Sequence, residues 1–170
     1  LVRFAVVTII IVVPIRAYVA QPFIVSGVSM VPSFENGEYL IIDELSYLLR
    51  SPARGEVIVF RYPRDPSKFF IKRVIGLPGE IVSIHDNQIH IKNGQTETIW
   101  NYPELPTEVA VGNGVYPLGP GQYFVLGDNR SMSLDSRVWG AVDEDLIKGR
   151  VFVRLYPFNR IKILPADASL

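Results

Sequence analysis

The chain has 170 residues, enough for one domain with a sizeable core, and its 17 basic and 17 acidic residues leave no formal net charge. That balance lacks the electrostatic footprint of a nucleic-acid binder. The absence of cysteine excludes disulfides and thiol chemistry and leaves the compartment open, while 21 Val, 18 Ile, 13 Gly and 13 Pro describe short β-branched runs punctuated by turns, so the expected class is mainly β.

Residues 1–20 differ from the rest. Phe4 to Ile15 is apolar apart from Thr8, and Arg16 alone interrupts that character before Ala20. Spanning a bilayer takes roughly 20 apolar residues, so this run, in a chain without an initiator Met, is expected to be a truncated N-terminal transmembrane anchor. A cleaved secretory signal peptide would put Tyr18 where a small residue is required and Arg16 close to the cut. Pro14 is compatible with a membrane helix, and no polar face marks a soluble core helix.

Phe23 to Val28 reads as a strand entering the turn Ser26-Gly-Val-Ser-Met-Val-Pro32, and Glu38 to Asp43 as a second strand. Leu45 to Arg50 is a short helix or irregular segment before Pro52; Gly55 to Arg61 and Phe69 to Ile75 are strands, the latter ended by Gly76-Leu-Pro-Gly79. Ile81 to Ile84 starts a new run. From His85 to Pro120 the chain turns polar, with Trp100, Tyr102 and Tyr116 as packing groups, and is expected to form a small inserted β region. Gln122 to Leu126 and Arg150 to Leu155 resume core strands, so the main antiparallel β unit is assigned to residues 21–84 and 121–164, with the insertion at 85–120.

The two histidines, His85 and His90, flank a hairpin turn at Asp86-Asn87. With no Cys or carboxylate cluster at ligand spacing around them, they read as exposed hairpin residues, and no metal or cofactor is expected. Nucleophilic chemistry must then do without the commoner bases. Ser29 on its Gly/Pro-bounded turn and Lys72 among Phe70, Ile71, Val74 and Ile75 are the two halves of a serine/lysine dyad. Neither is distinctive alone, because such a serine is usually a turn residue and such a lysine usually an edge residue reaching water.

The densest polar cluster, Gly127-Asp-Asn-Arg-Ser-Met-Ser-Leu-Asp-Ser-Arg137, directly follows a core strand. Gly127-Asp128-Asn129 alone is a turn. If the remainder is extended, Ser133, Asp135 and Arg137 share a face, giving an Arg-carboxylate buttress with a hydroxyl beside it.

Taken in order, Ser-Gly-Val-Ser-Met-Val-Pro, Gly-Glu-Val-Ile-Val-Phe, Ile-Lys-Arg-Val-Ile-Gly-Leu-Pro-Gly-Glu and Gly-Asp-Asn-Arg-Ser-Met-Ser-Leu-Asp-Ser-Arg, behind an apolar N-terminal segment, closely resemble the type I signal peptidases. Glu56, Glu80 and Ser33 are modest departures, standing where that family more often has Asp, Asp and Thr. The resemblance implies an all-β catalytic core, Ser29 as nucleophile and Lys72 as general base, with Ser133 beside the lysine and Asp128, Asp135 and Arg137 in the supporting shell. The Ser29 N–H is the implied oxyanion donor; Gly27 stands where some members carry a serine, and the nearest hydroxyl, Ser26, lies one residue earlier. It further implies signal peptides of secreted preproteins as partners, and a single-pass chain in the lipid bilayer with its catalytic unit outside the cytoplasm.

Such chemistry requires a neutral lysine. An ammonium with pKa about 10.4 must be desolvated at a cost of roughly 4 kcal/mol to act near pH 7. Val25, Met30, Phe34, Phe70 and Ile71 are the candidates for lining a shallow substrate groove, where an extended peptide adds beside Phe23 to Val25. Two other functions carry similar residues: a self-cleaving Ser/Lys regulator resembling SOS repressors, and a membrane-anchored β module without activity. The distance between Ser29 Oγ and Lys72 Nζ separates the enzymes from the module.

Overall fold

The computed structural model describes Arg3 and residues 21–100 and 112–164. The expected anchor at 1–20 lies outside the described residues apart from Arg3, as does Tyr102. Among the described residues no helix is long and apolar enough to cross a membrane.

The described residues from 21 on are built mainly of antiparallel strands, as the β-branched composition predicts. An eight-stranded sheet runs in the order β1 (Gln21–Ile24), β2 (Tyr39–Asp43), β11 (Ile147–Tyr156), β3 (Val57–Tyr62), β4 (Asp65–Gly76), β9 (Gln122–Leu126), β10 (Val142–Asp143), with β12 (Lys162–Ile163) paired to β11. A four-stranded sheet has the order β7 (Thr96–Ile99), β6 (Gln88–Asn93), β5 (Ile81–His85), β8 (Gly114–Pro117). Within the described residues from 21 on, the α-helices are single turns, α1 (Ser46–Leu49) and α2 (Ser136–Trp139).

β3 explains why its sequence lacks strict apolar alternation. It is buried on both faces: Val57 and Val59 join a core with Met30, Phe34, Leu40 and Ile42, while Ile58 and Phe60 join one with Val74, Tyr123 and Val125. A third core, around Val82, Ile84, Ile89, Ile91 and Trp100, fastens the small sheet to Phe124 and Leu126 of β9. The small sheet therefore starts at Ile81, earlier than the boundary at residue 85 read from polarity, because Val82 and Ile84 face its own core. The hairpin at Asp86-Asn87 is as expected, with φ of 50° and 65° at the two turn residues.

Candidate active site

Lys72 lies on β4 opposite Ile58 of β3, with Arg73 opposite Val57, so alternation sends the two cations to opposite faces. Lys72 is 3% exposed. Its Nζ lies 2.7 Å from Ser29 Oγ and 2.9 Å from the Ile71 carbonyl, over the Phe70 ring at 5.4 Å from the centroid. Burial pushes its pKa down to about 8, against the opposing pull of the Asp135 and Asp128 charges.

Ser29 sits in the turn between β1 and β2, whose floor is the buried pair Met30 and Phe34. Gly27 permits the turn with φ of 94°, and its N–H donates to Asn36 Oδ1 at 2.8 Å. That amide is therefore engaged within the turn, and Ser26 lies exposed on the cleft wall. The far side of the turn is clamped by Asn129, whose N–H donates to the Ser29 carbonyl at 3.0 Å and whose Nδ2 donates to the Val28 carbonyl at 3.2 Å.

Two buried ion pairs hold the surrounding loops. Arg73 grips Asp128 through both carboxylate oxygens, at 2.9 and 2.6 Å, and also reaches Ser33 Oγ at 3.3 Å, tying β4 to the serine turn and to the loop after β9. Arg137 grips Asp135 at 2.8 and 2.9 Å and donates to the Arg130 carbonyl at 2.6 Å. Asp135, fully buried, also accepts from the Gly127 N–H at 3.1 Å. This segment is extended at Ser133 and Asp135, but not through Arg137 as the alternation reading required. A 3-10 turn at Arg130–Met132 precedes α2, which Asp135 caps by accepting from the Arg137 N–H. Ser133 packs against Gly127, and its Oγ is buried without a hydrogen-bond partner.

A cleft of about 490 Å³ opens in front of Ser29 and Lys72. Its walls are Phe23 to Ser29 on one side and Lys68 to Lys72 on the other, with Leu40, Val59, Met132 and Leu134 completing it. Of the five groove candidates, Val25, Phe70 and Ile71 line this cleft. Met30 and Phe34 do not: at 1% and 2% exposure they are core, because the tight serine turn directs its large apolar side chains inward. Sequence reading missed Asn129, Met132 and Leu134, which the loop after β9 swings toward the serine.

Residues 1–156 match the family described as signal peptidase, peptidase S26. The chain belongs to that family. It is 38% identical to a probable signal peptidase I-2 of Synechocystis over 95% of this chain and 74% of the relative, and 33% identical to signal peptidase IB of Staphylococcus aureus over 85% and 82%. Its fold is similar to the crystal structure of a signal peptidase I from Enterococcus faecalis, with a TM-score of 0.51 and 28% identity over 60% of this chain and 97% of that one. Membership makes this protein a peptidase with a mainly antiparallel β fold, in agreement with the resemblance read from the four sequence blocks.

Proposed function

We propose that this peptidase removes N-terminal signal peptides from secreted preproteins with Ser29 as nucleophile and Lys72 as general base. The observation that carries the reading is the 2.7 Å contact between Ser29 Oγ and the buried Lys72 Nζ at the floor of an open cleft. No comparable base faces Ser29 among the described residues, since both histidines lie on the small sheet.

With Lys72 neutral, the Ser29 hydroxyl donates its proton to Nζ as Oγ attacks the scissile carbonyl. The ammonium so formed gives a proton to the leaving amine when the C–N bond breaks. A water then gives its proton to Nζ, attacks the acyl ester, and the departing Ser29 alkoxide recovers that proton. Oxyanion stabilisation falls to the Ser29 N–H. The Val28 carbonyl is held by Asn129, and a trans peptide points its N–H opposite to its C=O, so the Ser29 N–H is aimed away from Asn129. With the Gly27 amide engaged by Asn36, the Ser26 hydroxyl on the cleft wall is the better second donor. When Oγ turns toward substrate, the unpartnered Ser133 hydroxyl is the group that takes over holding Lys72.

The cleft suits an extended peptide. β1 is the edge of its sheet, and the Phe69–Ile71 part of β4 pairs with β3 but not with β9, whose pairing to β4 starts only at Arg73. Val25 directs both its N–H and its C=O to the Gly37-Glu38 side, at 2.9 and 2.8 Å, so alternation turns the backbone groups of Ile24 toward the open edge. A substrate strand can pair there while its alternate side chains meet Val25, Phe70 and Ile71. Residues 1–20 are proposed to anchor the chain in the bilayer by a single span, with the catalytic unit outside the cytoplasm. The test is cleavage of a purified preprotein. Ser29→Ala and Lys72→Ala should each abolish it while circular dichroism shows an unchanged fold, and near-normal turnover in folded Lys72→Ala would remove the dyad from contention.

A further inference from the structure

The small sheet carries a group of side chains that the peptidase chemistry does not use. His85, His90 and Glu97 come from three successive strands, yet each places one ligand atom within 4.8 Å of the other two. The register explains why. His85 is paired with Gln88 and His90 with Ser83, which makes the two histidines diagonal neighbours on one face; Glu97, paired with Lys92, is likewise diagonal to His90.

The side chains are already turned toward one another. The imidazole rings stack with centroids 3.9 Å apart, and His90 Nδ1 lies 3.1 Å from Glu97 Oε1 rather than leaving that carboxylate to Lys92. His90 Nε2 is buried without a hydrogen-bond partner, an orphan that calls for a ligand or a water. His85 Nδ1 is held by Asp86 Oδ2 at 3.1 Å, leaving Nε2 as its free donor. A carboxylate behind a histidine is the arrangement that orients imidazole ligands in metal sites.

We propose that His85, His90 and Glu97 form a binding site for a zinc-class divalent transition metal, which cross-links strands β5, β6 and β7. Two imidazoles and one carboxylate match the donor preference of zinc, whereas magnesium and calcium call for oxygen ligands alone. Zinc–nitrogen distances of about 2.0–2.1 Å require each ligand atom to move inward by less than about 1 Å and the two rings, 16° from parallel, to rotate out of their stack so that the in-plane nitrogen lone pairs converge on the ion; solvent supplies the remaining coordination. The ion has a structural task to perform, because β7 is exposed at all four positions and among the described residues pairs only with β6.

The experiment is calorimetric titration of zinc chloride into the untagged chain after chelator treatment and dialysis, followed by thermal unfolding. One zinc should bind per chain and raise the melting temperature, and magnesium should do neither. His90→Ala and Glu97→Gln should each weaken zinc binding by about 10-fold or more, and Asp86→Asn by up to about 10-fold through its hold on His85. Failure of zinc to bind, or unchanged affinity in a folded His85→Ala/His90→Ala double variant, overturns the site. The unsubstituted chain provides an independent check, because it contains only these two histidines. Saturating zinc should shift the imidazole resonances of both, and resonances that stay in place overturn the proposal.

Discussion

Asn129 holds Ser29 by its backbone, donating its own N–H to the Ser29 carbonyl at 3.0 Å while its side chain donates to Val28 O at 3.2 Å. These bonds fix the two peptide planes on either side of Ser29 without touching its hydroxyl. Asn129→Ala removes only the second bond, leaving the Val28 carbonyl to the Val31 N–H at 3.2 Å and loosening the plane that carries the Ser29 N–H. Deleting an oxyanion donor outright costs roughly 100-fold or more, and loosening one that remains should cost about 10-fold. Single-turnover cleavage by Asn129→Ala should slow by that factor with KM little changed. An unaltered rate would mean that other contacts hold the Val28 peptide.

The pH dependence follows from Lys72. With a pKa of about 8, only about a tenth of the lysine is neutral at pH 7. The rate of the chemical step should rise roughly tenfold per pH unit below about 8 and level off above it. Stability moves the same way: the unfolded lysine keeps its proton up to its ordinary 10.5, the folded one only to about 8, so between these values the unfolded state binds more protons. Lys72 therefore weakens the fold by about 3 kcal/mol below pH 8, a penalty relieved as pH rises toward 10.5. Lys72→Met should unfold at higher denaturant concentration than the parent at pH 7, and the difference should shrink at alkaline pH.

The proposed dyad could be picked out in the sequence because both halves carry local signals, a Gly/Pro-bounded turn and a charge inside an apolar strand. Other features depend on which strand lies beside which. Glu97 joins the two histidines only through the registers of β5, β6 and β7, so linear spacing conceals it. Assigning Met30 and Phe34 to the groove failed because a tight turn sends large apolar side chains beneath it as readily as into a cleft. The turn at residues 130–139 did leave a signal, since Asp135 and Gly140 bracket Ser136–Trp139 as cap and terminator. Alternation was the wrong period to apply there.

Asp135 couples stability to basicity. It is fully buried, paired with Arg137, and is the larger of the two carboxylate influences that hold the Lys72 pKa up. Asp135→Asn should destabilise the fold by about 3–5 kcal/mol, because a buried guanidinium loses its counter-charge. In the fraction that folds, the midpoint of the pH–rate profile should move to lower pH. A profile that stays put while the denaturant midpoint falls would limit Asp135 to a scaffolding role.

Gly127 lies where the loop after β9 packs against the Ser29 backbone and Ser133. A Cβ there would stand 2.5 Å from both the Ser29 carbonyl oxygen and Ser133 Cβ, neither of which is the end of a flexible side chain. The carbonyl is itself held by Asn129, and the Ser133 Cβ is fixed to its own backbone, so relief must come from backbone movement. Gly127→Ala should therefore cost about 1–3 kcal/mol of stability, the range for overpacking a tight interior. The same displacement pushes Ser29 relative to Lys72, whose contact spans only 2.7 Å. Cleavage should fall by about 100-fold, the scale expected when a reacting group is misplaced by about 1 Å. Measured together, a lowered denaturant midpoint and a slowed single turnover support this packing. Full activity in Gly127→Ala would show that the loop can retreat without moving the serine.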